Sequence, residues 1–330
     1  NDIKHGTVNG NITFDYIKNE DSELFNLIYI IEMGSNHDKI ATLAFDYLPF
    51  LGTSKYSASE LQLELYKNGL DFGVYSGTDR TYVVMGGLKK STDKGIELLE
   101  HILAEAKPDT AAYQKFAEGE LKRREDAKLE KGAIQYRFMP AYAKYGKINP
   151  FTNIISKDEL LAIDPSALTK KVSEISSMEH RIFYYGNDEM AAMKGKLEKM
   201  HPKNESLTAI PASITLVEQE TNENKIYFVN RVQVQTDLLF SSKEQKFDKE
   251  IIPVASWFNS YYGGGLSSVF FQEIIEAKGF WTTADRRKHV EIKRQHADLD
   301  IRILFENSKR KIRKGSQTTY GGWCKKKDIV

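Results

Sequence analysis

Residues 40–53 read Ile40-Ala41-Thr42-Leu43-Ala44-Phe45-Asp46-Tyr47-Leu48-Pro49-Phe50-Leu51-Gly52-Thr53. Ile40, Leu43, Ala44, Tyr47, Leu48 and Leu51 recur at the spacing that lines up one apolar face of an α-helix. Pro49 removes a backbone donor late in that run, so the helix kinks or ends early. Upstream, residues 11–18 and 24–33 are β-rich runs joined by the polar turn Asn19-Glu20-Asp21-Ser22, the pattern of a hairpin-like pair. Gly34-Ser35-Asn36 closes the second run, and the helical period then takes over.

Downstream, Ser57-x-x-Glu60 is a capping box that opens a helix running to Asn68, and Gly69 supplies its left-handed closing residue. Residues 70–75 and 82–88 read as two more strands. From Ser91 a helix sets Ile96, Leu99, Ile102, Leu103 and Ala106 on one side. Helical stretches continue over 110–130 and 156–175, the second with its own capping box, Ser156-x-x-Glu159. A strand over 181–185 and a helix over 188–200 complete the unit. Strands clustered early with helices after them indicate an α+β layered domain.

The chain has 330 residues and a net charge of +1, with 41% hydrophobic residues. That length is more than one core usually holds, so two units are expected. The single cysteine, Cys324, excludes an internal disulfide and any cysteine-based zinc cluster. No apolar run approaches the roughly 20 residues of a membrane-spanning helix, so no membrane span is expected. The chain opens Asn1-Asp2-Ile3-Lys4-His5, without an initiator methionine or an apolar leader, as a piece of a longer polypeptide would. The neutral total conceals an asymmetry. Residues 281–330 carry a net charge of +8, and the rest carries −7.

A polar stretch containing Pro202 and Pro211 divides the chain, and the residues beyond it repeat the opening. Strands are expected over 225–229 and 233–240 and a helix over 249–262. Gly263-Gly264-Gly265 comes next, then a second helix closed by Gly279. At a constant offset, Ser57 meets Ser267, Gln62 meets Gln272 and Gly69 meets Gly279. The expected class is therefore α+β, as two tandem homologous layered units with the second truncated. The division is 1–205 for the first unit, 206–224 for a linker, 225–280 for the partial second unit, and 281–330 for a basic tail. The change of charge and pattern near Phe280 marks that tail as out of frame or otherwise foreign to the repeat.

Phe45-Asp46-Tyr47-Leu48-Pro49-Phe50-Leu51-Gly52-Thr53 resembles the stretch of insulinase/pitrilysin (inverzincin) metallopeptidases that carries H-x-x-E-H followed by Gly-Thr. Tyr261 through Ile274 is similar to the family's Gly-rich turn and following helix. The resemblance is to the non-catalytic C-terminal half of large bacterial members, of periplasm or cytoplasm. With Gly52-Thr53 fixing the register, the two histidines of the motif fall on Leu43 and Tyr47 and its glutamate on Asp46. Residues at i and i+4 share a helix face, which is how two histidines hold one zinc with the acid beside them as base. Leucine has no lone pair to give, and a neutral tyrosine is a poor ligand, so these degenerate positions imply no metal and no catalytic residue. The family's third ligand would fall near Glu118, Glu120 or Glu125. With Lys122, Arg123 and Arg124 among them, these read more simply as a solvated helix face. The family's Arg-Glu-x-x-Gly-Leu-Ala-Tyr stretch is here Ile275-Glu276-Ala277-Lys278-Gly279-Phe280-Trp281-Thr282, without the marker Arg and Tyr.

The resemblance thus implies the non-catalytic half of a zinc metalloendopeptidase, inactive alone and with no cofactor of its own. It would form the wall and docking surface of a peptide-degrading chamber. A partner catalytic half would hold the zinc, and peptides would be the substrates. The alternative is a stand-alone assembly subunit like the partner of mitochondrial processing peptidase. Tyr136, Tyr142 and Tyr145 either line a peptide groove or pack between helices. Tyr47 is either a substrate-contacting remnant or core. Gly263, Gly264 and Gly265 read as a tight helix-to-helix turn rather than a phosphate loop, because no Lys-Ser/Thr comes after them. The run Lys309-Arg310-Lys311-Ile312-Arg313-Lys314 lacks interleaved aromatics, so it reads as a solvated segment and no nucleic-acid partner is expected. A basic-tailed nucleic-acid binder stands as a third reading.

Overall fold

The structure is a computed structural model. It describes residues 3–230, 248–263 and 316–326, together with isolated positions between them. The chain divides into two compact units, Asn1–Lys243 and Glu244–Val330.

The first unit is a six-stranded mixed sheet with helices on one face. Its strands are β1 (Lys4–Val8), β2 (Ile12–Lys18), β3 (Leu24–Ile31), β4 (Leu70–Ser76), β5 (Thr81–Leu88) and β6 (Arg181–Gly186), in the spatial order β1-β2-β6-β3-β5-β4. Its helices are α1 (Lys39–Tyr47), α2 (Ala58–Asn68), α3 (Thr92–Glu105), α4 (Thr110–Leu129), α5 (Lys131–Ala133), α6 (Met139–Tyr145), α7 (Lys157–Ala162), α8 (Pro165–Ser173) and α9 (Met190–Met200). A π-helical turn, Ile134–Phe138, joins α5 to α6.

Local chemistry accounts for most of the boundaries. Asp38 caps α1 by accepting from the Ile40 and Ala41 amides, both at 2.9 Å. The helix ends at Tyr47, and Pro49 lies in the short 3-10 turn that comes next. Both capping boxes form, at Ser57/Glu60 and Ser156/Glu159. Gly69 closes α2 in the left-handed region, at φ 62°. The 156–175 stretch is two helices rather than one, because Pro165 begins α8 with Asp164 as its cap.

Two features depart from the expectation. β2 and β3 do not pair. β6 lies between them, parallel to β2 and antiparallel to β3. The Asn19–Ser22 turn therefore spans an inserted strand instead of a hairpin. β1 is the other departure. It pairs antiparallel with β2 through the two-residue turn Asn9-Gly10, whose φ values are 52° and 87°. Its residues Lys4, His5, Gly6 and Thr7 carry no apolar alternation because it is an edge strand.

The core lies between the sheet and the helices. Phe14 and Tyr16 of β2, Phe25, Leu27 and Tyr29 of β3, Val83 and Met85 of β5, and Ile182 and Tyr184 of β6 are all buried on one face. Ile96, Leu99 and Ile102 of α3 meet them from the helical layer. On the opposite face Ile28, Ile30, Val84 and Phe183 are half-buried, and no helix of the first unit covers them among the described residues.

The stretch expected as a linker is irregular in structure but is held to the first unit. Thr208 bridges to Met178, and the Ile214 amide donates to the Asn36 carbonyl at 2.8 Å. Residues 225–229, expected as a strand, are described and are not one, with Ile226 and Phe228 exposed. A strand needs a hydrogen-bonded neighbour, and none pairs with them among the described residues. The strand expected over 233–240 lies almost wholly outside the described residues, as do Gly264, Gly265 and the helix expected to end at Lys278.

In the second unit, α10 (Ile252–Tyr262) sits where a helix is expected and leaves Trp257 84% exposed. Gly263 continues its last turn, donating to the Asn259 carbonyl at 2.9 Å. The helix α11 (Tyr320–Lys326) buries Tyr320 and Cys324, and burial pushes the Cys324 thiol up to about 11.

Leu99→Ala, at a fully buried position facing the sheet, destabilises the first unit by about 2–5 kcal/mol in urea unfolding. Leu129→Ala, at an exposed site, costs under about 0.5 kcal/mol.

Candidate functional site

The helix that resembles the metal-binding helix lies with its former ligand face turned inward. Leu43 and Tyr47 are buried. Tyr47 packs edge-on against Tyr113 at 5.3 Å between ring centroids and tilted against Phe116 at 5.4 Å. Its hydroxyl donates to the Asp109 carbonyl at 2.6 Å, and burial raises its phenol pKa. Of its two readings, Tyr47 fulfils the second, as a satisfied core residue.

Asp46 points the other way and is exposed, but protein on its flanks displaces enough water to push its carboxyl up to about 6. Ser76 and Arg123 pull it back down, and Glu120 of α4 adds to the rise. Glu118 and Glu125 lie on the solvated face, with Glu125 paired to Lys128 at 2.6 Å. Glu120 does not belong to that simple surface. It is half-buried and accepts from Arg124 Nε at 2.8 Å and Arg123 Nε at 3.0 Å. Arg124 also donates to the Ile155 carbonyl at 2.7 Å. The carboxylate nearest the motif is therefore engaged by two guanidinium groups, a charge balance that a metal cation would otherwise supply. Among the described residues, no three His, Cys, Asp or Glu side chains come together in a way that could hold a metal ion.

Beside this helix, a cleft of about 760 Å³ opens at the end of β4, the edge strand. Glu32, His37, Tyr75, Asp79, Arg80 and Ser213 contribute to its walls. The β4–β5 turn closes one side by pairing with the loop after β3. The Ser35 amide donates to the Gly77 carbonyl at 3.0 Å, and the Asn36 amide to Thr78 at 2.8 Å. A Cβ on Gly34 would come within 2.5 Å of the Gly77 carbonyl oxygen, so only glycine allows this approach. From the cleft a row of charges crosses the sheet. Arg80 pairs with Glu32, Glu32 with Arg181 at 2.9 Å, Arg181 with Asp15 at 3.5 Å, and Asp15 with His5 at 2.7 Å.

The three tyrosines do not pack between helices. Tyr136 is 70% exposed, Tyr142 is 41% exposed, and Tyr145 is half-buried. Tyr136 lies on the π-helical turn, and Tyr142 and Tyr145 on α6 just after it. The 217–227 stretch runs over α6. The Gln219 amide donates to the Lys144 carbonyl at 2.7 Å, Lys144 pairs with Glu218 at 2.8 Å, and Tyr227 meets Tyr142 edge-on at 5.4 Å.

The fold is similar to that of M16 peptidase domains. The M16 inactive domain from Pseudomonas fluorescens superposes with a TM-score of 0.53 at 16% identity, over 64% of this chain and 54% of that one. A protease from Helicobacter pylori superposes with a TM-score of 0.58 at 14% identity, over 87% and 69% of the two chains. The periplasmic protease PqqL from Escherichia coli gives 0.54 at 10% identity, over 66% and 26%. The chain thus spans about half of the Pseudomonas domain.

A different likeness covers the end of the chain. Residues 270–330 match the family model of phage endonuclease I. Endodeoxyribonuclease 1 of Enterobacteria phage T3 is 52% identical over 56 residues, 17% of this chain and 37% of that protein. Endonuclease I of Escherichia phage T7 is 51% identical over 55 residues, with the same shares. The chain spans little more than a third of either. The basic run 309–314 falls inside this match. The match starts at Phe270, within the stretch Tyr261–Ile274 that also resembles the peptidase turn and helix.

Asp46 titrates with a midpoint near 6 in carboxyl ¹³C NMR, and Arg123→Met moves that midpoint upward. Because the fold raises this carboxyl, its charged form opposes folding. Stability from the site is therefore present below about pH 4 and is lost as pH rises through about 6. Asp46→Asn then melts higher than the parent at about pH 7 and no higher at about pH 3.5.

Proposed function

We propose that this chain acts as the non-catalytic half of a zinc metalloendopeptidase. Its open sheet face and β4 edge form part of a wall that receives extended peptides. Hydrolysis, and the zinc it needs, come from a partner catalytic half. The observation that carries this reading is α1, where Leu43 and Tyr47 occupy the two histidine positions and are committed to the core. The half-buried apolar residues Ile28, Ile30, Val84 and Phe183 offer contact area for side chains of any sequence. The edge of β4, which pairs with no further strand among the described residues, lies beside the cleft and offers main-chain hydrogen bonds to an extended segment. Confinement by such a wall raises the local concentration of a peptide and orients it without supplying a nucleophile. The likeness to a Pseudomonas fluorescens inactive domain supports the same division of labour.

In fluorescence anisotropy with a labelled, unstructured peptide of about 20 residues, the full chain binds saturably. It leaves the peptide uncut over hours, with or without added zinc. Cleavage that copurifies with the chain and stops on chelation contradicts the proposal, and so does an absence of saturable binding.

The match over residues 270–330 favours a second reading for that segment alone, in which it brings the chain to DNA. The phage T3 protein is by its name a nuclease of DNA, and the tail carries the charge that exchanges with the counterions of phosphates. Replacing Lys309, Arg310, Lys311, Arg313 and Lys314 by serine in the full chain weakens duplex binding at least about 10-fold at low salt. It also flattens the dependence of log K on log salt, both read by fluorescence polarisation. Equal binding by both proteins overturns this reading.

A further inference from the structure

Away from α1 and the cleft, four polar side chains meet inside the first unit, between β3, α3, the start of β6 and the end of α9. Glu100 accepts from the Tyr29 hydroxyl and from His201 Nδ1, the latter at 2.8 Å. His180 Nδ1 donates to the Met178 carbonyl at 2.8 Å. The two imidazole rings lie 5.1 Å apart, and Tyr29 contacts both, edge-on to His201 at 5.3 Å and tilted to His180 at 5.9 Å. Tyr29 and His201 are fully enclosed and His180 nearly so.

The remaining nitrogen of each ring, Nε2, is buried without a hydrogen-bond partner among the described residues. His180 Nδ1 faces a carbonyl, which only accepts, and so carries the proton of the neutral ring and leaves a bare lone pair on Nε2. That state is tolerable in a core. A second proton would bury a positive charge and an unmatched donor together. The titratable groups facing His180 are His201, Glu100 and Tyr29. Glu100 is already shared by Tyr29 and His201. Among the chain neighbours, Arg181 is engaged by Glu32 and Asp15, and Glu179 is exposed.

The two histidines also bracket one joint. The 201–208 segment leaves α9 and runs back beside residues 176–179. The His201 and Pro202 carbonyls accept from Asn9 Nδ2 at 3.2 and 3.3 Å, and Asn204 Nδ2 donates to the Ser176 carbonyl at 2.8 Å. The Thr208 amide donates to Ser177 at 2.7 Å, and the Glu179 amide to Thr208 at 2.9 Å. His201 begins this joint, and His180 comes directly after the strand-like residues that grip its far end.

We propose that His180 is the trigger of a pH-sensitive latch, in which protonation of its buried imidazole, packed against His201, releases the 201–208 segment from residues 176–179 while the sheet stays folded. Linkage sets the direction. Burial, with His201 adding to it, depresses His180 from 6.5 to about 4, so the closed state excludes a proton that the open state binds. Closure is complete above pH 6.5 and weakens as pH falls toward about 4. Between about pH 7.5 and about pH 5.0 the opening constant rises about 30-fold.

The test is hydrogen exchange of the full chain at about pH 7.5 and about pH 5.0, corrected for intrinsic rates and read at the Glu179 and Thr208 amides. The latch predicts a fall in protection of about 30-fold at both, with Leu27 and Met85 unchanged, and a fall of less than about 3-fold in His180→Phe. Equal protection at the two pH values overturns it, as does an equal loss in His180→Phe or a loss spread over the whole sheet. Should His180→Phe not fold, the imidazole titration of the parent by NMR decides. A His180 midpoint below about 6 supports the latch, and a midpoint at about 6 or above overturns it.

Discussion

The first unit depends on one aromatic contact in the middle of its sheet. Tyr184 of β6 stacks on Tyr16 of β2 at 5.9 Å and on Phe25 of β3 at 6.4 Å. Its hydroxyl donates to Asp188 at 2.7 Å, and Tyr16 donates to the Asp188 carbonyl at 2.6 Å. A strand from the far end of the unit is thereby held between two strands from its beginning. The intervening helices must then fold back across one face, which buries the apolar side of α3 and fixes the position of α1. The chain between β3 and β6 supplies cover for only one face.

The same constraint commits the peptidase-like helix to packing. With α1 pressed between β4 and α8, the positions at Leu43 and Tyr47 are part of the layer contact. An apolar and an aromatic side chain stabilise that contact better than two imidazoles without a metal. Asp46 alone stays outside, and its raised pKa reflects loss of water and crowding by Glu120 rather than a partner to activate. The guanidinium groups of Arg123 and Arg124 balance Glu120. The site is thus consistent as an electrostatic arrangement without a cation.

Much of this was legible in the residues. The helix periods, both capping boxes and Gly69 are local signals and appear where the local chemistry puts them. The α+β layering comes from their order. Strand neighbours are a different matter, because pairing is decided by contacts distant in sequence. Nothing in residues 11–33 says that Arg181–Gly186 comes between them. The Asn9-Gly10 turn was a readable hairpin signal, but the polar edge strand before it hid its meaning. The exposure of Tyr136 and Tyr142 has no apolar period to announce it. Glu120 looked like surface because its partners Arg123 and Arg124 share its helix face, and charged neighbours in sequence read the same whether or not they flank another element. Buried histidines were the least visible of all. His180 and His201 lie 21 positions apart on unrelated elements, and only the sheet brings them together.

The account rests on α1 being a structural helix with no metal beside it. Anomalous diffraction at the zinc edge, from crystals of the full chain soaked in zinc, tests this most directly. The account predicts no peak bounded by residues 43, 46, 47 and 120, whatever adventitious sites appear elsewhere. A well-occupied peak there, with Asp46 and Glu120 as ligands and Arg123 and Arg124 displaced, would contradict it.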